Sequence, residues 1–110
     1  MVETLRLKMM IKDYKEFEKT LNNDAPCSDW SLALKALWYA ANNNWEASHE
    51  IAQDLYTPIG SWIHAHLHRV ESDEFNAGYW YRQARKPFSK SSFKEEIREI
   101  LETVLRCESK

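Results

Sequence analysis

Two glycines, Gly60 and Gly78, and three prolines, Pro26, Pro58 and Pro87, are all the backbone punctuation in a chain of 110 residues. The corners of a β-sandwich or barrel draw on glycine to reach positive φ and on proline to preset a turn. A fold of many short strands has no material for its corners here, which favours helices. The length fits one domain, and a chain of this size buries roughly two thirds of its unfolded surface. We therefore expect a single all-α domain over residues 1–110, with 1–12 open to being a loose extension.

The apolar spacing divides that domain into elements. Leu7, Met10, Tyr14, Phe17 and Leu21 recur at alternating spacings of three and four, predicting an amphipathic helix from about residue 5 to 22. Leu5, Leu7, Met9 and Ile11 also alternate, which leaves an extended beginning before Asp13 open. The turn formers of "NNDAPCSD" (22–29) follow, with Ser28 or Asp29 as N-cap of a second helix over about 29–42. Its face carries Trp30, Ala33, Leu34, Leu37, Trp38 and Ala41, and the asparagines 42–44 break it. Trp45, Ser48, Ala52 and Leu55 define a third helix. Thr57 before Pro58 is a cap followed by a first-turn proline and starts a fourth. "SDEFNAGYWYRQARKP" (72–87) gives a fifth, capped by Ser72 or Asp73, ended by Pro87, and aromatic on two faces. Ser92 with Glu95 forms a capping box for the last helix, striped by Phe93, Ile97, Ile100, Leu101, Val104 and Leu105. Five or six helices stacked as antiparallel hairpins result.

The segment "WIHAHLHR" (62–69) has histidines at every second position, so its conformation decides what they can do. An extended strand would aim His64, His66 and His68 to one side, but it would leave polar groups on both faces. A helix places Ile59, Ile63, Leu67 and Val70 on one apolar stripe and has the Thr57-Pro58 start signal. Helix is the better reading. Each residue then advances about 100°, so His64 and His68 share a face while His66 points away, near the stripe.

A histidine pair one turn apart chelates zinc or another divalent ion if a third ligand joins it. Glu71 is the local candidate, and His49, Glu50 or Asp54 of the preceding helix are the distant ones. The plainer reading is that His64 and His68 donate hydrogen bonds to carboxylates or helix ends, and that His66 is a satisfied, semi-buried side chain. No glutamate lies inside the pair, as it would in H-E-x-x-H.

Arg69, Arg82 and Arg85 sit among Tyr79, Trp80 and Tyr81. Guanidinium groups beside aromatic faces suit carboxylate, phosphate or peptide-terminus capture. The structural alternative pairs them with Glu71, Asp73 or Asp54 to hold helices together. The basic run 82–87, with Lys90 and Lys94, reads as compensation of a helix C-terminus. The five tryptophans, at 30, 38, 45, 62 and 80, are spaced as core and junction residues.

Charge and cysteine content exclude several classes. Fifteen basic against 17 acidic residues give a net charge of -2, which disfavours a chain built mainly to bind nucleic acid. Cys27 and Cys107 are far apart and form no C-x-x-C pattern, so a reduced pair in a cytoplasmic protein is expected. The first residues lack a secretory signal, and the longest apolar run, 36–41, is too short to span a bilayer. No G-x-S-x-G elbow or glycine-rich phosphate loop is present.

A weak internal echo appears at a shift of 30, aligning "NWEAS" (44–48) with "EFNAG" (74–78) and Leu37 with Leu67. Two helical hairpins with small residues at their contacts leave such a trace, and "GYWYRQA" resembles tetratricopeptide and Sel1-like repeats. "NNWEASHEIAQD" and "WIHAHLHRVESDEFNAGYWYRQARKP" resemble a family of short, uncharacterised bacterial proteins with a W-x-HAxLHR…NAxYWYRxA signature. The likeness spans about residues 13–88 and implies an all-helical cytosolic protein, with no activity attached. This chain departs from that pattern with Asn43-Asn44 for Gly-Asp, Ser72 for Gly and Arg85 for Gly, positions that bear on turn geometry.

Three functional readings follow. A binding or scaffold module would use His64, His68, Arg69, Glu71, Trp80 and Arg82 to recognise a peptide, a protein or a small anionic ligand, with no cofactor. A metal-dependent enzyme or metal-binding protein would use His64 and His68, completed by Glu71, His49 or Asp54. A structural protein would use the same residues only to hold hairpins together, and its aromatic-rich faces would also suit a homo-oligomer.

Overall fold

Six helices and no strand are found among residues 11–108, the residues that the computed structural model describes. They are α1 (Tyr14–Thr20), α2 (Leu32–Ala41), α3 (Trp45–Ala52), α4 (Pro58–Val70), α5 (Glu74–Ala84) and α6 (Phe93–Glu108). The alternation of Leu5, Leu7 and Met9, and any helix before residue 11, lie outside the described residues. Asp13 caps α1 by accepting from the Glu16 amide at 3.0 Å.

Most starts are where the sequence places them. The Thr57 hydroxyl accepts from Gly60 N at 3.0 Å with Pro58 in the first turn. Asp73 accepts from Asn76 N at 3.2 Å, and Ser92 from Glu95 N at 3.1 Å. One start differs. Ser31, not Ser28 or Asp29, caps α2, accepting from Leu34 N at 3.3 Å. Trp30 belongs to the preceding turn, where its amide bonds to Cys27 O and its ring stacks on Phe17. A buried aromatic just ahead of a cap keeps the apolar pattern in step and disguises the boundary. Leu55 likewise lies beyond α3. It crowds Gly60, whose hypothetical Cβ would stand 2.2 Å from Leu55 O, so the start of α4 needs a residue without a side chain.

Three helices end alike. Asn43, Ser72 and Arg85 have φ of 63°, 63° and 59°, the left-handed region. After each, an amide reaches back five residues: Asn44 to Tyr39 O, Asp73 to His68 O and Lys86 to Tyr81 O. These are Schellman ends, which satisfy carbonyls that the last turn leaves free. Arg85 therefore stops α5 before Pro87 is reached. At two of the three, the residue after the left-handed one caps the next helix, so α2–α3 and α4–α5 each turn back with no intervening loop.

The two hairpins repeat at 29 residues rather than 30. That offset relates the left-handed Asn43 and Ser72, the caps Asn44 and Asp73, and the fully buried pairs Ala36/Ala65 and Ser48/Ala77. Small residues at these crossings let the paired helices approach. In the first hairpin the Ser48 hydroxyl donates to Ala36 O at 2.7 Å, so close packing leaves no polar atom stranded. α6 closes the core from one side with Ile97, Ile100, Leu101 and Val104, while Phe17 of α1 and Trp30 fill its edge. No helix among the described residues is long and apolar enough to cross a membrane.

A candidate metal centre at the junction of two hairpins

Helical winding of α4 does what the spacing requires. His64 and His68 stack one turn apart with ring centroids 4.9 Å apart and planes at 23°. His66 is turned away into the core, its Nδ1 2.7 Å from Glu96 Oε1. α3 packs against α4 and brings His49 edge-on to both rings, 4.6 Å from His64 and 5.5 Å from His68. One ligand nitrogen from each of these three histidines lies within 4.8 Å of the other two. A tetrahedral ion about 2.0–2.1 Å from each nitrogen needs donors roughly 3.4 Å apart, so modest side-chain rotation closes the set.

Two indoles wall the cluster. Trp45 stacks on His49 at 4.6 Å and Trp80 of α5 on His64 at 4.0 Å. The Trp45 indole N–H donates to Leu67 O at 2.8 Å, which pins α3 to α4 beside the imidazoles. The two walls keep His49 and His64 side by side at the junction of the hairpins.

The electrostatics favour neutral rings. His64 is 5% exposed. Burial first, then the neighbouring His49 and His68, lower its pKa to about 4. Burial also pushes His49 down, helped by His68. A neutral imidazole has a free lone pair, so a cation meeting His64 near pH 7 displaces no proton. The His64 Nδ1 is buried with no hydrogen-bond partner, a state that costs about 1–3 kcal/mol for an ordinary buried polar atom.

The remaining expected site residues divide. Glu71 Oε1 and Asp73 Oδ2 lie 3.3 and 3.8 Å from His68 Nδ1, and they group with His68 rather than with His49 and His64. Neither contact has hydrogen-bond alignment, since His68 Nδ1 is also a buried nitrogen without a partner. Asp54 and Glu50 are exposed, and neither joins a cation-capable group among the described residues. His49 is thus the distant residue that completes the set. Arg69 is committed elsewhere, its Nε 3.1 Å from Glu96 Oε1 and its guanidinium over the Phe93 ring. Arg82 is exposed, two residues beyond Trp80 and so on another side of α5.

The sequence reading missed Glu96. It is 1% exposed and accepts from Trp62 Nε1 (3.2 Å), His66 Nδ1 (2.7 Å), Arg69 Nε (3.1 Å) and Tyr81 OH (2.5 Å). The signal was available, because Glu96 falls between Phe93 and Ile97 on the apolar stripe of α6. A cavity of about 530 Å³ borders Trp45 and His66 and is lined also by Tyr14, Leu21, Phe93 and Ile97 and by the paired Lys94 and Glu18. It does not include the three clustered histidines. No protein-family model, curated protein or solved structure matches the chain.

Proposed function

We propose that this protein binds one divalent transition-metal cation of the zinc class through His49, His64 and His68. The observation that carries the reading is the gathering of three imidazoles, from two hairpins, around one point. Neutral nitrogen donors suit zinc, cobalt, nickel or copper and discriminate against magnesium and calcium, which take oxygen. Three protein ligands leave a four-coordinate ion one position for water or an external ligand, the arrangement of catalytic rather than structural zinc sites. Elemental analysis and calorimetric titration of tag-free, chelator-treated protein test this. One zinc per chain is expected, with binding lost in His49→Ala, His64→Ala and His68→Ala and no heat from magnesium. Binding that ignores all three substitutions would remove the proposal.

A second reading has its own support. Phe75, Tyr79 and Arg82 are exposed along one outer face of α5. An aromatic pair beside a guanidinium suits a peptide bearing an apolar side chain and a carboxylate. The likeness to tetratricopeptide-like hairpins supports such a use of the fold.

A further inference from the structure

Glu71, the local candidate for a third ligand to the histidine pair, has its Oε1 3.3 Å from His68 Nδ1 and groups with His68 and Asp73, outside the set that His68 forms with His49 and His64. It occupies the C-cap position of α4, and its side chain is 43% exposed. The imidazole nitrogen it faces, Nδ1, is buried and has no aligned partner. Asp73 is the weaker claimant to that nitrogen. It stands farther off, and both its oxygens already accept from Asn76, Oδ1 from the amide at 3.2 Å and Oδ2 from Nδ2 at 2.7 Å. The charge of Glu71 also acts on His49, where it opposes the downward push of burial and His68, but only as the third and smallest influence.

An imidazole that binds a metal through one nitrogen ordinarily gives the N–H of the other to a carboxylate or carbonyl. That bond selects the tautomer, fixes the ring plane and makes the ligating nitrogen more basic. We infer that Glu71 is a positioning residue of the proposed cation site, holding the proton of His68 on Nδ1 so that Nε2 turns its lone pair toward the point shared with His49 and His64. This rests on the three-histidine reading. It assigns Glu71 a role outside the coordination sphere and leaves the fourth position on the ion to a group from solution. Glu71 Oε1 stands 3.3 Å from His68 Nδ1, close enough for a small side-chain rotation to align the bond.

The test is zinc affinity by competition with a chromophoric chelator, with stoichiometry and the visible spectrum of the cobalt form measured alongside. The proteins are tag-free wild type, Glu71→Ala and Glu71→Gln. Glu71→Ala is expected to bind zinc 10- to 100-fold more weakly, the usual cost of removing such a partner. Glu71→Gln should fall between, because its amide oxygen still accepts from Nδ1–H without the charge. Every protein should bind one cation, with the same cobalt spectrum at saturation and the same melting temperature when metal-free. Unchanged affinity in Glu71→Ala overturns the inference. So does a saturated cobalt spectrum that changes with the substitution, which would make Glu71 a direct ligand. Two cations in wild type and one in the variants would place a second ion among His68, Glu71 and Asp73, and also overturns it. Wild type that takes up no zinc is a separate pattern and sinks the three-histidine reading itself.

Discussion

Trp62, His66 and Arg69 of α4 and Tyr81 of α5 all direct donors at the single carboxylate that Glu96 carries in from α6. Burial alone would raise the Glu96 pKa. The hydrogen bonds from His66 and Tyr81, with the charges of His66 and Arg69, outweigh it and hold the carboxyl below its usual 4.5. Glu96→Gln keeps the size but puts an NH₂ where only donors point. Removing one partner of a buried ion pair costs roughly 3–5 kcal/mol, and we expect a loss of that order in urea unfolding at pH 7. A loss under about 1 kcal/mol, the value of an exposed pair, would deny Glu96 this role. The pH dependence has a defined sign. A carboxyl depressed on folding binds fewer protons in the native than in the unfolded state, so its stabilisation is full above 4.5 and drains away as pH falls through the folded pKa. Glu96→Gln should flatten that acid limb. Residue roles were only half legible in advance. The spacing separates His66 from His64 and His68 because it depends on one helix alone. The partners of Arg69 and His66 come from α6, and periodicity gives the face of each helix but not which face it meets.

Helix ends carry a different kind of information. Asn43, Ser72 and Arg85 are, among the described residues, the three non-glycine residues with positive φ. The left-handed conformation costs an L-residue about 1–2 kcal/mol, which a glycine would avoid while losing roughly 0.5–1 kcal/mol to its greater freedom when unfolded. Ser72→Gly and Arg85→Gly should therefore each stabilise the protein, by up to about 1 kcal/mol. Asn43→Gly should gain less, since asparagine tolerates this region. Thermal melts of the three variants check the order, and a destabilised Arg85→Gly would mean that its side chain contributes more than its backbone costs. Caps were the most legible feature at this scale, because Thr57-Pro58, Asp73 and Ser92 state their chemistry locally. The start of α2 was not, since Ser28, Asp29 and Ser31 are all competent caps and only the stacking of Trp30 on Phe17 chooses among them.

The three histidines do not belong to one hairpin. His49 comes from α2–α3 and His64 and His68 from α4–α5, so an ion bound to all three would clamp the two hairpins across their junction. α3 is the element that such an ion would tie down. It has eight residues, buries only Ser48 and Ala52, and leads into a segment without regular helix in which Tyr56 is 91% exposed. Short, lightly buried elements open locally at less than the full unfolding free energy. An opening of α3 withdraws His49 from the other two rings and must break the site. An ion at 100 times its Kd stabilises the bound state by about 2.7 kcal/mol, so α3 amides should exchange about 100-fold more slowly with zinc present. Openings confined to α1, which contributes no histidine to the cluster, leave the ion in place and should keep their rates. Native-state hydrogen exchange, with and without zinc and in His49→Ala, separates the cases. Slowing confined to α3 and α4 that vanishes in His49→Ala identifies a bridge between hairpins. If zinc protects α4 but leaves α3 unchanged, the ion is held by His64 and His68 alone, and His49 is a packed neighbour of the pair.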